Sequence, residues 1–215
     1  KKTIAKCARQ HKCGVLGAVG HCEEFDPVLV HRAKMEEKDF VDKMGVYDVV
    51  PRSDAAKKGC RVIRTRWVTV NIGSDENPQL RARWVAQEFR GRGGDKHEYF
   101  SEAPDLALVK AVIAHAARCA EREDTVVAVF DVRRAYFYAE EKRDTFVELP
   151  DYVPAEFRAS HVGKLRKALY GTRPAAASWG DELRKGLVSC CLTVGTVSRC
   201  CFRNGGRFCC WHGTR

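Results

Sequence analysis

One short stretch near the middle of the chain constrains the fold most. Residues 126–130 form an apolar, largely β-branched run that is too short for an ordinary helix and predicts a buried strand. Asp131 ends this run. A carboxylate at the tip of a buried strand is costly unless a cation, a metal ion or backbone N–H groups meet it, so Asp131 is a candidate functional residue. The alternative is that Asp131 caps the next helical turn and Tyr136 belongs to the core.

Composition and charge narrow the classes of function. The chain has 215 residues, is 45% apolar and carries a net charge of +10. Lys and Arg outnumber Asp and Glu in residues 52–96 and again in 158–185, on either side of the Asp131 strand. This distribution is expected if a polyanion lies across the site, and a solvated basic surface is the alternative. With no apolar span and no signal peptide in the sequence, we expect a cytoplasmic or nuclear protein.

The cysteines are numerous but poorly spaced for a metal. Eleven cysteines without secretory features favour free thiols or metal ligands over disulfides. Six of them form three adjacent pairs after Ser189, and adjacent thiols cannot easily bind one ion. The N-terminal group has no zinc-knuckle spacing either: Cys7, Cys13, His21 and Cys22. A zinc module at the C-terminus is therefore a minor alternative, which metal analysis would decide.

Periodicity predicts a mixture of helices and strands. Helical spacing of apolar residues, with Gly45 as a C-cap, indicates the first helix, and β-branched or aromatic runs indicate strands. We expect helices over residues 33–44, 105–122 and 175–187, and extended segments over 46–51, 61–72, 80–86, 145–149 and 162–170. The apolar stripe of the second helix is expected to be buried. Residues 1–27, 90–98 and 189–215 show no sustained period and are expected to be irregular.

The strands over 61–72 and 80–86 predict a β-hairpin. The segment from Gly73 to Pro78 supplies the turn. Arg81 and Arg83 lie two residues apart and therefore share a face of the second strand. Two aligned guanidiniums are suited to binding phosphates, and edge-strand arginines that keep the sheet soluble are the alternative.

Four stretches occur in a fixed order along the chain. They are AKMEEKDFVDKMGVYDVV, RWVTVNIGSDENPQLRARWVAQEF, FDVRRAYF followed by VELP, and KLRKALYGTRPAAASW. Each alone is a weak signal, but together they run in register over residues 33–187. The set resembles the reverse transcriptase of copia-type LTR retrotransposons.

This resemblance implies an α+β fold, namely the fingers and part of the palm of a right-hand polymerase with an antiparallel sheet and packed helices. Asp131 falls on the first metal-binding, catalytic aspartate of the family. Arg83 falls on the fingers arginine that meets the triphosphate of the incoming nucleotide, and Arg81 stands beside it. Tyr136 falls on the aromatic steric gate that excludes a ribose 2′-OH.

Two further groups of site residues follow from the same resemblance. Arg133, Arg134 and Ala135 fall on the turn over the nucleotide phosphates, and Gly171 and Arg173 fall in the template-side loop. The implied partners are an RNA template, a DNA primer and a deoxynucleoside triphosphate. Polyprotein neighbours are implied too, with integrase upstream and the rest of the palm and RNase H downstream, and a virus-like particle is the implied location.

The implied cofactor is Mg²⁺, and the implied site is incomplete. Two Mg²⁺ ions need several hard oxygen ligands, and Asp131 cannot hold both ions alone. The resemblance places a carboxylate pair after the Trp179 helix, but the last acidic residue of this sequence is Glu182. We therefore expect a fragment of an RNA-directed DNA polymerase that is inactive alone. The alternative is a nucleic-acid-binding remnant or a partner module without catalysis. Its predicted divisions are residues 1–30 as a linker, 31–188 as fingers and partial palm, and 189–215 as a Cys-rich tail foreign to the fold.

Overall fold

The structure is a computed structural model that describes residues 25–88, 106–120, 128, 130–196, 198–205 and 207–210. Of the segments predicted to be irregular, residues 1–24 and 90–98 lie outside these ranges, as does Asp105, the first residue of the helix predicted over 105–122. Pro27, the last residue of the segment predicted over 1–27, begins a helix. None of the described helices is long and apolar enough to cross a membrane.

The described residues form helices and strands in a mixed order. The α-helices are α1 (Pro27–Met44), α2 (Arg52–Lys57), α3 (Leu106–Ala120), α4 (Ala155–Ser160) and α5 (Ala175–Ser189), and a 3₁₀-helix covers Ala135–Tyr138. The strands are β1 (Tyr47–Pro51), β2 (Val62–Ile63), β3 (Thr65–Asn71), β4 (Leu80–Ala86), β5 (Phe146–Val147), β6 (His161–Leu165), β7 (Thr193–Val194), β8 (Cys201–Asn204) and β9 (Arg207–Cys210). The mixed α/β class and the antiparallel sheets are as predicted.

Three sheets are present in the described part of the chain. The largest has the order β1-β6-β5-β2, in which β1–β6 and β5–β6 are antiparallel and β2–β5 is parallel. The β3–β4 hairpin forms a second sheet and pairs antiparallel from Thr65 with Ala86 to Asn71 with Leu80. The third sheet is β7-β8-β9. The hairpin prediction is confirmed, because the alternating face and the turn from Gly73 to Pro78 fix the register.

Helix α1 is defined by its caps and its apolar face. The Asp26 carboxylate accepts a hydrogen bond from the Val28 backbone N–H at 2.9 Å, and Gly45 ends the helix in the left-handed conformation with φ of 59°. The buried face of α1 packs against β4, where Val41 joins Trp84 and Phe137 in the main core. The helix thereby brings the start of the described chain against the hairpin.

Several sequence predictions differ from the structure. Phe130 is in no strand and is 87% exposed, so the predicted buried strand is wrong at its last residue; of its other residues only Ala128 is described, also outside a strand. The strand expected over residues 61–72 is divided into β2 and β3 by Arg64. In α3 the expected buried stripe is open, since Leu106 is 64% and Ile113 is 54% exposed. Propensity and period show which face is apolar but not what covers it.

The C-terminal region is more regular than expected. Strand β8 pairs with β7 and β9, which places Cys201 opposite Cys210. Phe202 of β8 is 3% exposed. The expectation of an irregular tail is therefore wrong for the residues of β7, β8 and β9. Cross-strand pairing over two to four residues leaves no long period in the sequence.

Candidate nucleotide-binding site

Two arginines project from one face of β4. Arg81 and Arg83 alternate along the strand with Ala82 and Trp84, which are 2% and 1% exposed. Because successive side chains of a strand point to opposite faces, burial of Ala82 and Trp84 fixes the outward direction of both guanidiniums. The shared face predicted for the two arginines is confirmed.

The two guanidiniums form a local excess of positive charge. Burial lowers the pKa of Arg81, and the neighbouring charge of Arg83 lowers it further, while Glu37 and Asp131 act in the opposite direction. Neither guanidinium has a hydrogen bond or an ion pair with another residue in the described part of the chain. An anion bound across both arginines would relieve their mutual repulsion.

An aromatic chain connects Arg83 to the predicted steric gate. The Arg83 guanidinium carbon lies 4.8 Å from the centre of the Tyr170 ring, a cation–π distance. Tyr170 in turn packs against Tyr136 with ring centres 5.2 Å apart. Burial raises the pKa of the Tyr170 phenol to about 12. The structure thus brings together β4, the 3₁₀-helix and the chain after β6.

The turn after Asp131 is held by helix α1. Arg134 adopts the left-handed conformation with φ of 54°, and its Nε donates a hydrogen bond to Glu37 Oε2 at 2.6 Å. Its guanidinium also lies 4.4 Å from the Phe40 ring centre. Ala135 begins the 3₁₀-helix, while Asp131 and Arg133 are exposed. Glu37 and Phe40 of α1 therefore hold Arg134 in place. The position of Arg134 in turn sets the direction of the backbone that leads to Ala135 and Tyr136.

Glu37 is an unusual residue for its position. Its side chain is 2% exposed, and Oε1 has no hydrogen-bond partner in the described structure. Burial raises the pKa of this carboxyl, against the hydrogen bond from Arg134 and the charges of Arg134, Arg83 and Arg81. The Glu37 carboxylate therefore sits behind the arginine face and partly balances its charge.

The predicted template-side residues lie at the far end of β4. Gly171 has φ of 80°, and a Cβ there would come within 2.0 Å of the Ala86 carbonyl oxygen. The Glu88 carboxylate accepts a hydrogen bond from the Arg173 backbone N–H at 2.8 Å and from both terminal nitrogens of Arg143. Although burial opposes it, these donors hold the pKa of Glu88 below its usual value. Gly171 is thus required for the close approach of this loop to β4.

One family model matches most of this chain. Residues 45–206 match the family model described as "Reverse transcriptase (RNA-dependent DNA polymerase)". The chain belongs to the reverse transcriptase family. The match begins after α1 and continues through β8.

This chain is similar to two plant transposon polyproteins. It is 27% identical over 168 residues to the "Retrovirus-related Pol polyprotein from transposon TNT 1-94" of Nicotiana tabacum, covering 73% of this chain and 12% of the relative. It is 31% identical over 155 residues to the "Retrovirus-related Pol polyprotein from transposon RE1" of Arabidopsis thaliana, covering 71% of this chain and 10% of the relative. The copia-type assignment is confirmed, and the chain spans about a tenth of each relative's length. No solved structure matches the chain.

Reverse transcriptases use divalent metal ions, and Asp131 is the acidic residue assigned to them by sequence. The described residues contain no group of three or more His, Cys, Asp or Glu side chains able to hold a metal ion. Asp131 lies in exposed coil beside Val132, whose side chain is 42% exposed. The described part of this chain therefore does not fit a two-metal site by itself.

Sequence reasoning missed two residues of the site. Tyr170 links Arg83 to Tyr136, but its place before Gly171 gave no signal of that contact. Glu37 of α1 was not predicted as a site residue. Its spacing of four residues from both Ala33 and Val41 places it on the buried face, and this spacing could have identified it. The catalytic, nucleotide-binding and template-side roles inferred from the resemblance remain predictions.

Proposed function

We propose that this chain supplies the fingers and first part of the palm of a copia-type reverse transcriptase. In this proposal its arginine face binds the phosphates of an incoming deoxynucleoside triphosphate, while an RNA template and a DNA primer lie across the basic regions of residues 52–96 and 158–185. The polymerase body extends over residues 31–188, and the protein acts inside the cell, in the cytoplasm, the nucleus or a virus-like particle.

The observation that carries the proposal is the pair of guanidiniums on β4. Arg81 and Arg83 share one face without a hydrogen-bonded carboxylate in the described residues, and Tyr170 holds Arg83 by stacking. Guanidiniums bind phosphate oxygens in pairs of parallel hydrogen bonds, which fixes orientation as well as charge. Tyr136 lies next to the Tyr170 ring, where a bound sugar could meet it. This arrangement supports nucleotide binding more directly than it supports catalysis.

Catalysis is proposed to need acidic residues beyond those described. Mg²⁺ is the expected cofactor, but Asp131 alone provides too few oxygen ligands for two ions. The proposal is therefore that the described residues bind substrates and that the chain alone does not extend a primer.

Salt-dependent binding tests the proposed contact with nucleic acid. The full chain is titrated with a fluorescein-labelled RNA–DNA hybrid at several salt concentrations, and affinity should fall steeply with salt because bound phosphates release counterions. Arg81→Ala with Arg83→Ala should weaken binding at least tenfold. Arg32→Ala with Lys43→Ala removes the same charge from exposed residues of α1, outside both basic regions, and should have little effect. A flat salt response, or equal losses in the two double variants, would refute the proposal.

Primer extension tests the statement about catalysis. The chain is assayed with a primed RNA template, all four deoxynucleoside triphosphates and either Mg²⁺ or Mn²⁺. The proposal predicts no template-dependent product. Product formation that Asp131→Asn abolishes would show that this chain carries a complete catalytic site.

A further inference from the structure

Two cysteines face each other across the β8–β9 pair. Cys201 and Cys210 are direct partners in the antiparallel register, and their Sγ atoms lie 2.7 Å apart. Both are free thiols and both are partly exposed. The contact between them is therefore a hydrogen bond between two thiols, in a place where two sulfur atoms already meet.

The backbone of Cys201 shows which kind of strand pair this is. Its N–H donates to the Ser198 carbonyl oxygen at 3.2 Å, and its carbonyl oxygen accepts from the Gly195 N–H at 2.7 Å. Both backbone groups of Cys201 therefore point away from Cys210. Opposite residues in such a non-hydrogen-bonded pair have Cα atoms about 4.5 Å apart, and a disulfide spans Cα separations of about 4.4 to 6.8 Å. The register thus permits a disulfide between Cys201 and Cys210.

The register also distinguishes this pair from the neighbouring cysteines. Cys209 is paired with Phe202, and successive residues of a strand point to opposite faces of the sheet. Cys200 precedes β8 and is 1% exposed. Cys201 and Cys210 therefore share one face of the sheet, and Cys209 lies on the other face. The strand geometry favours one pairing among the four neighbouring cysteines.

The surroundings of Cys210 favour its uncharged thiol. Burial, together with the hydrogen bond to Cys201, raises the pKa of the Cys210 thiol to about 12. A thiol of high pKa is a poor leaving group in thiol–disulfide exchange. A disulfide that includes Cys210 is therefore expected to be reduced slowly once it has formed.

The charge of this region suits an anionic oxidant. No Asp or Glu follows Glu182 in the sequence, whereas Arg199, Arg203 and Arg207 lie close to the two cysteines along the chain. Glutathione disulfide is a low-molecular-weight disulfide with a net negative charge at neutral pH. A positive local potential raises the concentration of such an anion near the thiols.

We propose that Cys201 and Cys210 are a modification site, at which a low-molecular-weight disulfide oxidises them to a reversible disulfide that links β8 to β9. One cysteine, as its thiolate, attacks a sulfur atom of glutathione disulfide and displaces the first glutathione. The second cysteine loses its proton, attacks the protein sulfur of this mixed disulfide and displaces the second glutathione. The two cysteines thus lose two electrons and two protons, and the oxidant is reduced to two glutathione thiols. This site is independent of the function proposed for the arginine face.

Peptide mapping of the full chain tests the pairing. The reduced chain is incubated with glutathione disulfide, the remaining thiols are blocked with iodoacetamide, and the tryptic peptides are analysed by mass spectrometry. The proposed disulfide joins the peptides CCFR and FCCWHGTR, and fragment ions between adjacent cysteines identify the linked pair. We expect a link between Cys201 and Cys210 that dithiothreitol reverses. Absence of this link, or the same mixture of pairings when the chain is oxidised in urea, would overturn the proposal.

Matched variants separate this pair from its neighbours. Cys210→Ala leaves a mixed disulfide at Cys201 without its partner thiol, so glutathione on Cys201 should be at least fivefold more abundant than in the native chain. Cys209→Ala is the control, because Cys209 lies on the other face, and it should form the Cys201–Cys210 link as the native chain does. Glutathione on Cys201 to the same extent in both variants would refute the assignment. Circular dichroism checks folding, and if a variant is unfolded the peptide map of the native chain against its urea control decides the question.

Amide hydrogen exchange tests whether the disulfide links the two strands in the folded chain. A covalent bond that closes a loop of about ten residues removes conformational freedom from the open hairpin. Exchange of the β8 and β9 amides should therefore slow at least tenfold in the oxidised chain. Exchange in the β3–β4 hairpin, which belongs to another sheet, should not change. Equal exchange of β8 and β9 in the oxidised and reduced chains would contradict the proposed link.

Discussion

Among single residues, Glu37 and Arg134 determine how α1 holds the turn after Asp131. Glu37 and Arg134 are far apart in sequence, yet their side chains meet at 2.6 Å behind the arginine face. A buried ion pair contributes little net stability, but loss of one partner leaves the other charge uncompensated. This pair therefore makes the geometry of the turn dependent on a helix that precedes the region matched by the family model.

Substitution of Arg134 tests whether the turn after Asp131 depends on its ion pair with Glu37 of α1. Arg134→Met is expected to lower the free energy of unfolding by about 3 kcal/mol, because Glu37 would remain buried without its partner. Glu37→Gln in the same chain should restore part of the loss. Urea unfolding of the two single variants and the double variant gives the coupling. Additive effects would show that the two side chains do not act as a pair.

The charge of Glu37 should also make stability depend on pH. Because its folded pKa lies above the ordinary value of 4.5, the folded state takes up this proton first as pH falls. Protonation of the Glu37 carboxyl therefore raises the free energy of unfolding. This contribution is fully present below pH 4.5 and is lost as pH rises through the pKa of the folded state. Glu37→Gln has no carboxyl group that titrates. The free energy of unfolding of this variant, relative to that of the native chain, should therefore be higher at pH 7 than at pH 4.5. Urea unfolding across this range measures the difference, and a constant difference would contradict the expected shift.

At the scale of elements, β4 connects the parts of the candidate site. Its two faces carry the arginines and the core, and its C-terminal end meets the loop that contains Gly171. The hairpin could be predicted from sequence because its alternation and turn are local. The contact of Gly171 with Ala86 and the contact of Tyr170 with Arg83 both join distant segments. Such contacts are set by packing, which local sequence pattern does not encode.

A methyl group at Gly171 should disrupt the contact with β4. Gly171→Ala places Cβ within 2.0 Å of the Ala86 carbonyl oxygen at a positive φ, so we expect a loss of about 3 kcal/mol in the free energy of unfolding. Gly186→Ala is the matched control. Gly186 lies inside α5 with nothing within 4 Å of its added Cβ, and this change should stabilise the chain by up to about 1 kcal/mol. Equal melting temperatures for both variants would show that the Gly171 approach is not required.

For the whole molecule, the net positive charge of the chain is consistent with its family membership. The net charge of +10 suits a protein that contacts a polyanion, and the chain belongs to the reverse transcriptase family. Sequence motifs were sufficient for the family, since Asp131, Tyr136 and the hairpin arginines occur in order. The metal site could not be derived in the same way, because it needs carboxylates from several segments to converge.

Calorimetric titration of the full chain with inorganic triphosphate tests whether the β4 arginines bind phosphates, since this ligand contains the phosphates without a base or a nucleic acid. We expect saturable binding that Arg81→Ala with Arg83→Ala weakens at least tenfold and that Lys57→Ala with Arg61→Ala preserves. Equal affinity for triphosphate in the native chain and in the variant lacking both β4 arginines would contradict the assignment of that face.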